Sequence, residues 1–230
     1  MLEINDVVYS VTGYQYNEMA KVFTHLAIDE LDWSHAQAQA EFETLITAKL
    51  ANQSRQISPV FEVVSGIPFS GKSSFIKSKK REFEGYLFIS FDALMKELSF
   101  YQRLMELDSK LAFNKCELVA RIIGYELLQR AVDLGCHIVF EHSSTPKQHL
   151  ALYEVIEKEY GYKLVINYIQ CPLALAKQRA EQNNSSLRDG GRYTPVTYID
   201  ERFHALQAMM GHYKQHFLVK EVEQSEFAPH

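Results

Sequence analysis

The chain has 230 residues, of which 47% are apolar and 23% charged, enough for one α/β domain with a buried core and too few for two large domains. That composition excludes a disordered or collagen-like chain, and a formal charge of −5 gives no overall attraction to a polyanion, so nucleic acid is a disfavoured partner. Cys116, Cys136 and Cys171 are odd in number, widely spaced and without a C-x-x-C pair, which points to free thiols in a reducing compartment rather than to a disulfide framework or a zinc site.

Met1 to Tyr9 carry Glu3 and Asp6 and lack the basic-then-apolar order of a signal peptide. No apolar run reaches the roughly 20 residues that span a bilayer, so the expectation is a cytoplasmic protein without membrane contact. Residues 15–54 read as two helices, the first near 14–31 and the second starting at Ser34 as N-cap, with Phe42, Leu45, Ile46 and Leu50 at helical spacing. A polar linker, 52–59, ends in a proline and marks a boundary. Residues 1–56 are thus expected to be an N-terminal helical extension, and 57–230 a catalytic domain.

From Val60 onward short apolar runs alternate with amphipathic helices. Strands are expected at 60–64, 86–89, 137–140, 164–169 and 216–222; helices at 72–80, 92–134 with a break at 107–109, 147–160, 172–183 and 195–210. Nearly continuous apolar strands alternating with helices imply a parallel sheet of about five strands covered on both faces, a three-layer α/β fold. Thr145-Pro146 and Thr194-Pro195 read as N-cap hydroxyls ahead of helix-starting prolines, and Gly135 and Gly161 as helix C-termini.

Gly66, Ile67, Pro68, Phe69, Ser70, Gly71, Lys72 and Ser73 satisfy G-x-x-x-x-G-K-[ST] between a strand and a helix. Glycines let the backbone wrap a phosphate, successive amides point inward, and the helix N-terminus adds positive potential. Lys72 is expected to reach the β- and γ-phosphates, Ser73 to coordinate Mg²⁺, and Ser74 to join the loop's contacts with ATP. Neither N-K-x-D, nor an L-S-G-G-Q element, nor G-x-G-x-x-G is present, which removes GTPases, ABC-type ATPases and Rossmann dehydrogenases and leaves P-loop kinases of small molecules or nucleotides.

Such kinases need a base for the acceptor hydroxyl, an acid that supports magnesium, and arginines on the transferred phosphoryl group. Asp92 follows the second strand and reads as base or as helix N-cap. Glu141 ends the third strand, as a Walker B acid does, and reads as a magnesium or substrate contact or as a strand-end acid. Arg179, Arg188 and Arg192 flank a polar segment, 181–194, that reads as a lid or as a solvated loop.

The order of these features resembles the zeta toxin family of P-loop kinases, through G-I-P-F-S-G-K-S at 66–73, I-S-F-D at 89–92, I-V-F-E-H-S at 138–143, Q-R-A at 178–180 and G-R-Y-T-P at 191–195. The resemblance implies an enzyme that uses ATP and Mg²⁺ to phosphorylate a small-molecule hydroxyl, in the best-known members the amino-sugar hydroxyl of a UDP-N-acetylhexosamine. By position it makes Asp92 the base, sets Glu141 and Ser143 at the acceptor, and puts Arg179 and Arg192 on the triphosphate. It also implies a protein inhibitor, a helical antitoxin, and leaves the first helix open between packing and inhibition. The family's E-G-T-G-R is replaced here by Glu141-His142-Ser143-Ser144-Thr145, so an acceptor-gripping arginine is missing. A polynucleotide 5′-hydroxyl kinase and a non-catalytic nucleotide-binding regulator are the rival readings.

Overall fold

Five runs rich in Val, Ile and Phe form one all-parallel sheet in the computed structural model, which describes residues 4–26, 34–185 and 193–224. The strands are β1 (Val60–Ser65), β2 (Leu87–Ser90), β3 (Ile138–His142), β4 (Lys163–Ile169) and β5 (Leu218–Val222), in the order β2-β3-β1-β4-β5. Alternation along β1 divides the core: Phe61 and Val63 join a large cluster on one face, while Val64 joins Phe75, Val139, Ile169 and Val222 on the other. The expected α/β architecture is therefore present, with each strand within two residues of its expected start.

Helices α1 (Ile4–Thr12), α2 (Met19–Leu26) and α3 (His35–Leu50) precede the sheet. Of these α3 starts where expected: Ser34 Oγ accepts from the Gln37 amide at 3.3 Å and Gln37 Oε1 accepts from the Ser34 amide at 2.9 Å, a reciprocal cap. The first expected helix starts later than its reading, at Met19 after a 3-10 turn over Tyr16–Glu18, its expected end beyond residue 26 lies outside the described residues, and α1 had no sequence signal strong enough to separate it from a polar terminus. Ile4, Val7, Val22, Phe23 and Phe42 are buried in the same cluster as the sheet. Arg130 reinforces the seam, forking onto Glu43 at 2.8 and 2.9 Å and reaching Glu126 at 2.8 Å.

The remaining helices are α4 (Lys72–Ser78), α5 (Phe91–Glu97), α6 (Ser99–Leu107), α7 (Ser109–Leu134), α8 (Gln148–Lys158), α9 (Leu173–Ser185) and α10 (Val196–His216). The expected break near 107–109 is joined by a second at Leu98, whose extended backbone and buried side chain separate α5 from α6. Gly135 and Gly161 hold left-handed φ of 76° and 72° at helix ends, as read from sequence. The two threonine caps are corrected. Neither α8 nor α10 has a side-chain cap bond at its start; Thr145 is engaged by Arg202 instead, and the Thr194 backbone is bonded to Asn184.

Phe42 is fully buried between Phe23 and Phe100, with ring centroids 5.9 and 6.2 Å away. Phe42→Ala is expected to lower unfolding free energy by about 3–5 kcal/mol, read from the midpoint of urea denaturation. A loss below about 1 kcal/mol would mean that the first three helices unfold apart from the sheet.

Candidate active site

Strand pairing builds the site before any loop does. Because β1 pairs with β3 in the register Val64↔Glu141 and Ser65↔His142, the phosphate loop leaving β1 and the acid ending β3 emerge side by side. Ser73 Oγ donates to Glu141 Oε1 at 2.9 Å. These two hard oxygen donors could hold a magnesium ion.

Within the loop, Gly71 has φ 94° and Phe69 φ 62°, conformations that curl the backbone around the start of α4. A Cβ on Gly66 would lie 2.5 Å from Ser70 Oγ, so the first motif position admits only glycine without displacement. Gly66, Ile67 and Ser70 form the back of the loop, while Pro68, Phe69, Gly71, Lys72, Ser73 and Ser74 line a cleft of about 660 Å³. Lys72 Nζ rests on the carbonyls of Gly66 and Ile67 at 3.0 and 3.1 Å.

Asp92 lines the same cleft from the first turn of α5. It is not the cap of that helix, because Ser90 occupies the N-cap position. A close approach fixes its height: a Cβ on Gly124 of α7 would lie 2.4 Å from Phe91 Cδ1, so the bare backbone there lets Phe91 seat α5 against α7. Arg179 also lines the cleft, donating to the Phe69 carbonyl at 3.1 Å and to Gln224 Oε1 at 2.9 Å. Gln224 in turn donates to the Ser70 carbonyl at 2.9 Å. Ser143 faces the cleft beside Glu141. Arg188 and Arg192 lie outside the described residues, as does half of the expected lid; 181–185 continue α9.

Several cleft residues were missed by the sequence reading. Glu117 and Arg121 project from α7, Lys96 from α5, and Tyr198 and Arg202 from α10. Arg202 stacks over the Tyr198 ring at 4.6 Å and donates to Thr145 Oγ1 at 2.7 Å. The one available signal was charge interrupting an apolar helix: Glu117 and Arg121, one turn apart, sit in a stretch of α7 otherwise filled by buried or half-buried apolar residues.

The turn after β3 is held on every side. Ser144 takes a left-handed φ of 57°, costly for a residue with a side chain, and the surrounding bonds hold it there. Its amide donates to His142 Nδ1 at 2.9 Å, its carbonyl accepts from Tyr213 Oη at 2.8 Å, and its hydroxyl meets Tyr153 Oη at 2.8 Å. Beneath it His149 bonds Tyr125 Oη through Nε2 at 2.7 Å and Tyr153 Oη through Nδ1 at 3.4 Å. The chain of bonds runs from Tyr125 through His149 and Tyr153 to Ser144.

Burial, with Arg121 nearby, pushes His149 down to about 3 from an ordinary 6.5. Burial also holds His142 well below its usual range, aided by His149, Arg121, Lys72 and Arg202. The unfolded imidazoles protonate near 6.5 while the folded ones stay neutral, so stability is complete above that pH and erodes as pH falls from about 6.5 toward 3.

A family model, the zeta toxin model, matches residues 43–226. The chain belongs to the zeta toxin family. Among solved structures, a protein of the PezAT chromosomal toxin–antitoxin system of Streptococcus pneumoniae superimposes with a TM-score of 0.71 at 13% identity, over 84% of this chain and 80% of that one. The AvrRxo1-ORF1:AvrRxo1-ORF2 complex with ATP matches at TM-score 0.54 and 14% identity, over 97% of this chain and 69% of that one. The same complex with sulphate ions gives 0.55 at 14% identity, and this chain aligns with 63% of that chain's length. At such identities the likeness carries the fold alone. No curated protein sequence matches significantly. Among the described residues no helix is long and apolar enough to cross a membrane.

Urea midpoints should fall between pH 6.5 and 5, before the carboxylates protonate in number, and the fall should be shallower in His149→Gln. An identical slope in that variant would remove His149 as a source of the acid sensitivity.

Proposed function

We propose that this zeta toxin family member is an ATP- and Mg²⁺-dependent phosphotransferase that moves the γ-phosphoryl group onto a hydroxyl of a small molecule. The observation that carries the reading is the 2.9 Å bond between Ser73 and Glu141 in a cleft that also contains Lys72 and Asp92. A phosphate loop, a cation, paired metal-binding oxygens and a separate carboxylate are the parts phosphoryl transfer requires. When bound, the magnesium nucleotide supplies an electrophilic phosphoryl group with its charge partly neutralised.

The protein's own groups then divide the work. Lys72 exchanges its two carbonyl partners for phosphate oxygens and stabilises charge that develops during transfer. Glu141 and Ser73 orient the metal, Arg179 spans the loop and the nucleotide, and Arg192 is assigned to the triphosphate from the family pattern. Asp92 takes the acceptor's proton. Ser143 and Glu141 face the acceptor. Lys72, Lys96, Arg121, Arg179 and Arg202 outnumber Asp92, Glu117 and Glu141 around the cleft, a balance that favours anionic ligands.

For the acceptor, a sugar nucleotide such as a UDP-N-acetylhexosamine fits the family. Thr145 replaces the family's arginine, and Arg202, bonded to Thr145 Oγ1, brings a guanidinium to the same turn from α10. A protein inhibitor that covers the cleft completes the proposal; it is supported by the toxin–antitoxin system in which the PezAT relative occurs.

In a metabolite extract supplied with Mg²⁺ and γ-labelled ATP, Lys72→Ala is expected to lower labelling of small molecules by about 10²-fold or more, with the fold retained. Asp92→Asn should lower turnover by about 10²–10⁴-fold and leave ATP affinity nearly unchanged. Wild-type labelling rates in either variant would refute the assignment.

Metal dependence gives a separate check. Glu141→Gln should raise the Mg²⁺ concentration at half-maximal rate by about tenfold or more. An unchanged requirement would move the ion away from Glu141.

A further inference from the structure

His142 lines the cleft next to Glu141 and is accounted for by neither the metal, the nucleotide nor the base. Resting on the proposed phosphotransfer, we propose that His142 is a specificity-determining residue: a neutral imidazole of fixed tautomer whose Nε2–H donates a hydrogen bond to an oxygen or ring nitrogen of the acceptor.

The tautomer follows from geometry. His142 Nδ1 accepts the Ser144 amide at 2.9 Å, and a nitrogen that accepts a backbone N–H carries no proton of its own. The ring's single proton is therefore on Nε2. The residue is half-buried and lines the cleft next to Glu141, where an Nε2–H would meet a bound acceptor.

The ring cannot swing away. It lies parallel to Phe140 at 5.4 Å with a 2° interplanar angle, meets the edge of Phe91 at 5.4 Å and rests 4.2 Å from His149. The bond that fixes its tautomer is secured in turn by the restrained Ser144, whose carbonyl and hydroxyl are held by Tyr213 and Tyr153. A strained backbone held by buried tyrosines to fix one ring nitrogen is a costly arrangement for packing alone. It is what pre-organised recognition requires, since a rigid donor loses little entropy on binding. His142 follows Glu141 directly, so an acceptor whose hydroxyl lies at Asp92 and Glu141 must present a hydrogen-bond acceptor to this donor. A bare alcohol lacks that group and would leave the N–H unmatched.

The test exploits two amides of different reach. Glutamine can set its Nε2–H where the ring nitrogen stood, whereas asparagine reproduces only the Nδ1 side. Label transfer from γ-labelled ATP is measured against the concentration of metabolite extract for wild type, His142→Gln and His142→Asn. The expected result is a half-saturating extract concentration within about twofold of wild type for the glutamine variant and about tenfold higher for the asparagine variant, with half-saturating ATP unchanged in both. Equal values for the two variants overturn the inference, whether both match wild type or both are impaired with lowered melting temperatures. Ring ¹⁵N spectra of the wild-type protein supply a check independent of the variants: protonation of His142 at Nε2 alone is expected, and protonation at Nδ1 overturns the inference. A wild-type protein that labels no small molecule overturns the proposed function and this inference with it, whereas labelling without a Gln–Asn difference overturns this inference alone.

Discussion

The site depends on the register of one strand. β1 sits in the middle of the sheet, bonded to β3 on one side and β4 on the other, and both pairings must be satisfied together. A slip of one residue against β3 would turn the side chains packed on one face of the sheet onto the other, breaking both apolar clusters. It would also carry Glu141 away from Ser73. The hydrophobic cost of such a slip is what keeps a two-atom contact at the cleft in place, so the geometry of the cleft is inherited from apolar burial along Val63, Val64, Val139 and Phe140.

Helix α7 transmits the same stiffness to the other wall. It carries Glu117 and Arg121 into the cleft, is notched at Gly124 to receive Phe91, and is braced from behind by α1 to α3 and the Arg130 fork. The N-terminal helices contribute no side chain to the cleft lining among the described residues. They support the wall. That arrangement gives α1 to α3 a physical role through α7, since movement of that helix would shift Arg121 and, through Tyr125 and His149, the turn that carries His142 and Ser143.

Much of this was legible in the sequence because it is written in local chemistry. The G-x-x-x-x-G-K-S spacing, the apolar strands and the Gly135 and Gly161 stops each act over a few residues, and each stands where it was read. Asp92 and Glu141 were legible because strand ends in a parallel sheet converge on one edge. Arg121 and Arg202 were not, because their convergence is set by how α7 and α10 pack, and a helix periodicity does not say which cleft its polar face meets. Thr145 misled for a related reason. A threonine before proline is a good cap in isolation, but Arg202, 57 residues further on, engages the hydroxyl in the folded chain. The tautomer of His142 depends on a left-handed serine that no propensity predicts.

The central claim is that the terminal phosphoryl group, and no other part of the nucleotide, leaves ATP for a small alcohol. Parallel incubations of the wild-type protein and a metabolite extract with Mg²⁺ and either γ-labelled or α-labelled ATP, followed by separation and mass analysis of the labelled products, test it directly. The account predicts one or more small molecules labelled from the γ-position only, each heavier than its precursor by a single phosphoryl group. Label transferred from the α-position, or γ-label recovered solely as inorganic phosphate, would contradict it.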